Sequence, residues 1–374
     1  MTTSERKLTS VEICAGAGGQ ALGLENAGFS HSALVEIDAN ACATLELNLT
    51  NRNPGADVIQ GDVLTFRDDV LNGDRSYQQL DLLSGGVPCP PFSMAGKQLG
   101  HEDERDLFPA MLDLVGALQP KAVMIENVRG LLQPKFRAYR RWILWRLEHA
   151  FCESPAPLLD EPLACSDYVH HGYIVHREDE PENVRSWQLL NASDYGVPQL
   201  RPRSVLVALK PRYDPYFSWP EKHPEKAPTV GEVLEHSMSK RHWPGAAAWA
   251  LKAKRIAPTL VGGSKKHGGA DLGPTRAKQA WATMSVDAMG VADEVPDENA
   301  PKDHHPKLTV EQAALLQGFP PDWKITGRKT AAYRQVGNAF PPPVAEAIGR
   351  QIAMAIRSAE RGDPKPERDA EQLF

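Results

Sequence analysis

The sequence predicts an α/β protein: a parallel sheet covered by helices on both faces, joined to a smaller irregular region. Two observations carry this. Between residues 9 and 140, short β-rich runs alternate with helical patterns, the signature of strand–helix–strand units. From about Lys210 to Lys307 the alternation gives way to Pro, Gly, Trp and basic residues with no sustained periodicity.

Taken in order, "SVEIC", "HSALVEI", "ADVIQGDVL" and "LDLLSGG" are the first four strands, with a helical pattern after the first and the second. "RDLFPAMLDLVGALQP" is an amphipathic helix with Leu107, Met111, Leu114, Val115 and Leu118 on one face, stopped before Pro120. "KAVMIEN" is a fifth strand and "FRAYRRWILWRLEHAF" a helix, on which Trp142 and Trp145 read as packing residues. "SWQLLNASDYGVPQLRPRSVLVAL" reads as a loop rich in turn formers and then a strand. "LTVEQAALLQGF" and "PPPVAEAIGRQIAMAIRSAE" are helical again. The expected divisions are residues 8–210, with a surface insertion at 152–184; an irregular region over 211–306; helices over 307–356 that return to the first domain; and a solvated tail over 357–374.

Several classes are disfavoured. The five cysteines, at 14, 42, 89, 152 and 165, are odd in number and have no CxxC spacing, which argues against a disulfide framework or a zinc site and for a reducing, cytoplasmic setting. His170-His171 and His304-His305 lack partners at ligand spacing, so no metal is expected. No apolar run reaches the roughly eighteen residues of a membrane helix, and the polar start "MTTSERKLTS" lacks the core of a secretory signal. Cys14 and Cys42 fall on apolar faces and read as core.

"VEICAGAGGQALGLENAGF" puts Gly16, Gly18 and Gly19 directly after the first strand and before a helix, where a ligand can approach the backbone. Glu36 ends the second strand, placed for ribose hydroxyls, and Asp62 follows the third, placed for an adenine edge. The spacing is GxGG rather than GxGxxG. A nucleoside-bearing cofactor is expected, and a nicotinamide is disfavoured.

Cys89 lies between two prolines after the apolar run "LDLLSGG", and Glu126 ends the fifth strand. The C-terminal ends of parallel strands form the ligand crevice, so both should face the glycine loop. A thiol beside a carboxyl suits attack on an electron-poor ring whose nitrogen is protonated as sulfur adds, rather than acyl transfer, which wants a histidine base. Cytosine fits: sulfur adds at C6, Glu126 meets N3, and C5 becomes nucleophilic.

At these residues the chain resembles the DNA cytosine-5 methyltransferases. "AGAGG", "GGVPCPPFS", "ENVRGLL", "QLRPR", "LTVEQAALLQGFP" and "QVGNAFPPPVA" occur in that family's order and spacing, from Ser10 to about Ile356. The resemblance implies a Rossmann-like sheet that binds S-adenosyl-L-methionine and a target-recognition domain over the irregular region. It implies catalytic roles for Cys89 as nucleophile, Glu126 as ring activator, and Arg203 and Arg201 as contacts that hold the extruded base or the loop around Cys89, with Gln199 bracing them. For the cofactor it implies Ala15, Gly16, Gly18, Gly19, Glu36, Ile37, Asp62, Val63 and Leu107, with Asn338 and Ala339 closing the pocket. The target atoms are buried in a duplex, so the base must be flipped out. The segment "PFSMAGKQLGHEDERD", with Ser93 and Lys97, is expected to close over DNA. Two departures stand out. Pro90 takes the place of the usual Gln after Pro-Cys, and Cys14-Ala15 stand where a Phe is common.

The partner implied is double-stranded DNA. Between Lys240 and Lys278 nine Lys or Arg residues face one acid, Asp271, a basic tract within a chain of net charge −6. Arg255, Lys265 and Lys266 suit phosphate contacts, and Arg276 and Lys278 suit phosphates or guanine edges. The chain is expected to work as a monomer on DNA, with a restriction endonuclease for the same site as a candidate companion. Two other readings stay open here: a transfer-RNA cytosine methyltransferase of the same fold, and a catalytically silent DNA-binding regulator.

Overall fold

The computed structural model describes residues 6–49, 52–88, 106–152, 172–180, 185–262 and 270–366. Seven strands form one sheet: β1 (Leu8–Ile13), β2 (Phe29–Glu36), β3 (Asp57–Gln60), β4 (Leu82–Gly85), β5 (Ala122–Val128), β6 (Trp187–Asn191) and β7 (Pro202–Leu209), in the order β3-β2-β1-β4-β5-β7-β6. The first five pair in parallel, through helices α1 (Gly19–Asn26), α2 (Ala39–Leu49), α3 (Val63–Leu71) and α4 (Phe108–Leu118).

The last two strands depart from the expected parallel sheet. β7 runs antiparallel to both β5 and β6, and β6 occupies part of what the sequence suggested was loop. The link from Asn191 to Pro202 is too short for the crossover that parallel strands need, and Gly196 turns it at φ 79°. Three residues of β6, Trp187, Gln188 and Leu190, are buried. The strand is five residues long and its burial does not alternate, so it does not stand out among the turn formers around it.

Both faces of the sheet are covered, which is why β4 and β5 are almost continuously apolar. Leu83, Val123 and Ile125 pack toward α3, α4 and α5 (Arg137–Glu148), where Trp142 is buried. Leu82, Ala122 and Met124 pack toward α11 (Pro342–Arg361) and Leu24 of α1. The C-terminal helix thus returns to the sheet beside the first helix.

A third core joins the sheet's cofactor end to the irregular region. There α6 (Val230–Ser239), α7 (Ala246–Lys252) and α8 (Thr275–Ala282) are followed by α9 (Val310–Gln317) and α10 (Lys329–Asn338). Trp243, Trp249 and Trp281 are buried in one cluster with Ala15, Ala17 and Leu45. The first three helices are two to three turns long, too short to show a sustained period. The N-terminal ends of α6 and α9 are set locally: Thr229 with Glu232, and Thr309 with Gln312, form capping boxes. Among the described residues no helix is long and apolar enough to cross a membrane.

Candidate active site

At the C-terminal ends of β1 and β2 lies a cavity of about 250 Å³. Ala15, Gly16, Gly19 and Glu36 line one side; Asn338, Ala339 and Phe340 line the other; Glu126 and Gly86 lie at the far end. The turn after β1 places the glycine loop. Gly18 takes φ 80°, and a β-carbon there would meet Leu45 and Trp323 at 2.7 and 2.8 Å, so only glycine serves. A β-carbon on Gly19 would overlap the carbonyl oxygen of Phe340. The first helix and the C-terminal wall therefore close on each other through a missing side chain.

Glu36 is clamped in place. Its Oε2 accepts the Gly16 amide at 2.8 Å and its Oε1 accepts the Asp38 amide at 2.8 Å. Gly61 N donates to Glu36 O at 3.0 Å, keeping the ends of β2 and β3 side by side. Asp62 caps α3, its side chain accepting the Leu64 amide at 2.8 Å. Val63 is buried under that turn, Leu107 is half-buried at the start of α4, and Ile37 is 64% exposed beside Glu36. Gly18, Ile37, Asp62, Val63 and Leu107 stand outside the lining of the cavity itself.

Glu126 projects from β5 with its Oε1 2.8 Å from Arg203 Nε, from the neighbouring β7. Burial pushes its carboxyl above the ordinary value, and Arg203 and Arg201 only partly offset this. A β-carbon on Gly86 would lie 3.2 Å from Glu126 Oε2, so glycine keeps that oxygen accessible. Asn127, next along β5, donates from Nδ2 to the Val87 carbonyl at 2.8 Å. This bond fixes the chain leading to Cys89 against the strand that carries Glu126. Cys89 itself, with Ser93 and Lys97, lies outside the described residues, as do Lys265 and Lys266.

A family model, C-5 cytosine-specific DNA methylase, matches residues 8–150 and 168–354. The chain belongs to that family. It is a DNA (cytosine-5-)-methyltransferase, and the family uses S-adenosyl-L-methionine. The Type II methyltransferase M.NaeI of Lentzea aerocolonigenes is 52% identical to it over 96% of this chain and 77% of its own. M.NgoMIV of Neisseria gonorrhoeae, also a Type II methyltransferase, is 48% identical over 94% of this chain and 99% of its own. Among solved structures, the Entamoeba histolytica methyltransferase EhMeth aligns with a TM-score of 0.57 at 13% identity, over 93% of this chain and 98% of its own. Dnmt2 of S. pombe aligns with 0.54 at 14%, over 94% and 98%. At such identities these two speak for the Rossmann-like fold alone.

Within the methyltransferase, Arg201 takes a different place from Arg203. It is fully buried, and its guanidinium donates to three backbone carbonyls: Leu260 at 2.7 Å, Gly337 at 2.8 Å and Ala339 at 2.9 Å. Arg201, expected to hold the base or the Cys89 loop, has both terminal nitrogens on these carbonyls, a brace whose loss would strand them. Gln199 completes the brace, accepting from Leu260 N at 3.0 Å and donating to Leu316 O at 3.1 Å. In the basic tract Arg255 and Arg276 are exposed, whereas Lys278 is paired with Asp271 at 2.5 Å.

Sequence reasoning missed part of the lining. Glu12 and Gln20 are both buried and both line the cavity, and among the described residues Glu12 Oε2 and both amide atoms of Gln20 have no hydrogen-bond partner. Burial pushes the Glu12 carboxyl up to about 8; the Gln20 side chain offsets part of the rise and the Glu36 charge adds to it. The signal was an acid inside the apolar run "SVEIC", since unpaired acids are almost never buried. Cys14 also lines the cavity, at φ 55°, half-buried and packed against the core that holds Leu83 and Ile125, while Cys42 is buried. Arg334 approaches Asp38 at 3.5 Å across the mouth.

Proposed function

We propose that the methyltransferase modifies C5 of a cytosine flipped out of a specific duplex DNA sequence, through a covalent bond between Cys89 and C6. The single observation that carries this is the Glu126–Arg203 pair beside the segment leading to Cys89: a buried acid, oriented by a cation, at the end of a cofactor-sized cavity.

The cavity fits S-adenosyl-L-methionine in its chemistry. Its walls carry Glu36 and Asp38, suited to a cationic ligand, and the polar atoms of Glu12 and Gln20 that lack partners among the described residues are placed to meet a polar ligand. Glu36 would hold the ribose, Asp62, Ile37 and Val63 the adenine, and Ala15, Gly16, Gly18, Gly19, Leu107, Asn338 and Ala339 the remainder. When bound, the cofactor supplies an electrophilic methyl group.

The protein's own residues do the rest. The thiolate of Cys89 bonds to C6, electron density moves through the ring to N3, and Glu126 delivers a proton there. Its raised affinity for that proton keeps the acid form available. Arg203 holds the Glu126 carboxyl in orientation. C5 is then nucleophilic and accepts the methyl group while N3 returns its proton to Glu126. Solvent water takes the C5 proton, the C5–H electron pair restores the C5–C6 double bond, and the C6–S bond breaks to release Cys89 as thiolate. Arg255, Lys265, Lys266 and Arg276 would meet the DNA, with Ser93 and Lys97 on the segment closing over it.

The setting proposed is cytoplasmic, on host DNA, with a restriction endonuclease of the same target as companion. The test is expression in a host lacking cytosine methylation, followed by bisulfite sequencing. Protection in one short recurring context supports the reading. Uniform conversion by a folded protein overturns it and favours RNA or silent DNA binding.

A further inference from the structure

We infer that the exposed face of α8 reads base edges beside the target cytosine, with Arg276 and Gln279 setting the sequence context. This rests on the duplex-DNA reading above and names the residues of that interface.

The helix has one committed face. Trp281 is wholly buried, its indole N–H donates to Leu272 O at 3.2 Å, and Leu272, Met284 and Val286 are buried around it. The opposite face carries Arg276, Gln279 and Thr283, all exposed. Their spacing of three and four residues lines them along one stripe. Such a stripe is the shape and chemistry that enters a major groove: an arginine fork matches guanine O6 and N7, and a glutamine amide matches adenine N6 and N7.

Neighbouring charges sort themselves into two groups. Lys278 is paired with Asp271, the one acid of the tract, and Arg241 is paired with Glu294. Both are occupied inside the recognition region. Arg276 makes no ion pair among the described residues, and Lys252, Lys254 and Arg255 are exposed. Pairing Lys278 with Asp271 leaves the α8 stripe with a single, directed cation instead of a diffuse positive patch.

The segment before the helix is tied to the chain that leads into β7. A β-carbon on Gly273, two residues before α8, would lie 3.7 Å from Thr259 O. Thr259 Oγ1 in turn donates to Leu200 O at 2.5 Å, three residues before Arg203, the partner of Glu126. The lead-in to α8 is thus linked through Thr259 to the start of β7, the strand that carries Arg203, and the base pairs flanking the extruded cytosine are the occupant inferred for the stripe.

The test is methylation of a randomised duplex library by the wild type and by Arg276→Ala, Arg276→Lys, Gln279→Ala and Lys252→Ala, read by bisulfite sequencing. Binding of S-adenosyl-L-methionine without DNA, expected unchanged in all, reports folding. Arg276→Ala should lose preference at one base pair and slow on the wild-type context by roughly 10- to 100-fold. Arg276→Lys should relax the same base pair, since an ammonium cannot fork, and it carries the test if the alanine variant fails to fold. Gln279→Ala should relax a different position, and Lys252→Ala should slow all contexts alike. Wild-type preference in both Arg276 variants, or equal slowing on every context, overturns the assignment of α8. A wild type that marks no DNA overturns the duplex reading beneath it instead.

Discussion

Arg203 and Glu126 face each other across adjacent antiparallel strands, Nε to Oε1 at 2.8 Å, with β7 supplying the cation and β5 the acid. Burial acts on the two in opposite directions. It raises the Glu126 carboxyl and lowers the Arg203 guanidinium, and each partner counters the shift of the other. The pair therefore holds an acid that is oriented yet still willing to carry a proton.

Glu126→Gln should slow methyl transfer at least tenfold, about 1.4 kcal/mol or more of barrier, because an amide cannot supply the N3 proton. In the wild type, single-turnover rate should fall as pH rises through the raised Glu126 value, since the acid form is the donor. The Gln variant should lack that limb. A pH–rate profile from 5 to 9 on both proteins checks this, and an unchanged limb in the variant would assign the proton to another group.

Cys89→Ser should abolish transfer and leave DNA affinity largely intact, because a hydroxyl is a far weaker nucleophile at neutral pH. Gel shift with the target duplex, beside a labelled-methyl assay, separates the two. Normal turnover in the serine variant would remove the covalent step.

Arg201→Lys should destabilise the fold by about 3 kcal/mol, since one ammonium cannot reach the carbonyls of Leu260, Gly337 and Ala339 together. Urea unfolding measures the loss. Because Ala339 lines the cavity proposed for the cofactor, cofactor affinity should weaken alongside it, and wild-type values for both would reduce Arg201 to a spectator.

Gly19→Ala places a methyl group against the Phe340 carbonyl. Overpacking at such a contact costs about 1–3 kcal/mol, and the displaced wall should weaken cofactor binding by roughly tenfold or more. Isothermal titration with the cofactor reads it directly.

His31 is buried between the Ser10 hydroxyl at 2.8 Å and the Ala21 carbonyl at 2.9 Å. Burial lowers its pKa to about 4. The unfolded chain takes up this proton near 6.5, so between about 6.5 and 4 the unfolded state binds more protons and stability falls as pH drops. The full loss is about 3 kcal/mol, reached below pH 4. Urea midpoints from pH 7 to 4.5 should show this extra slope, and a His31→Gln variant should lack it.

Much of this protein is legible locally. The apolar runs of β1, β2, β4 and β5, the GxGG turn, Glu36 at a strand end and Glu126 at another are patterns of neighbouring residues, and parallel α/β topology carries such strand ends to one edge. The family motifs then name the chemistry. Tertiary structure alone decided that β7 is antiparallel, that Arg201 braces carbonyls while Arg203, two residues on, faces the acid, and that Lys278 is spent on Asp271 while Arg276 is exposed. It also joined Glu12 and Gln20 to the cavity. The physical reason is the same in each case: a side chain's role follows from which distant groups compete for its hydrogen bonds and its burial, and that competition is settled only when residues far apart in sequence are packed together.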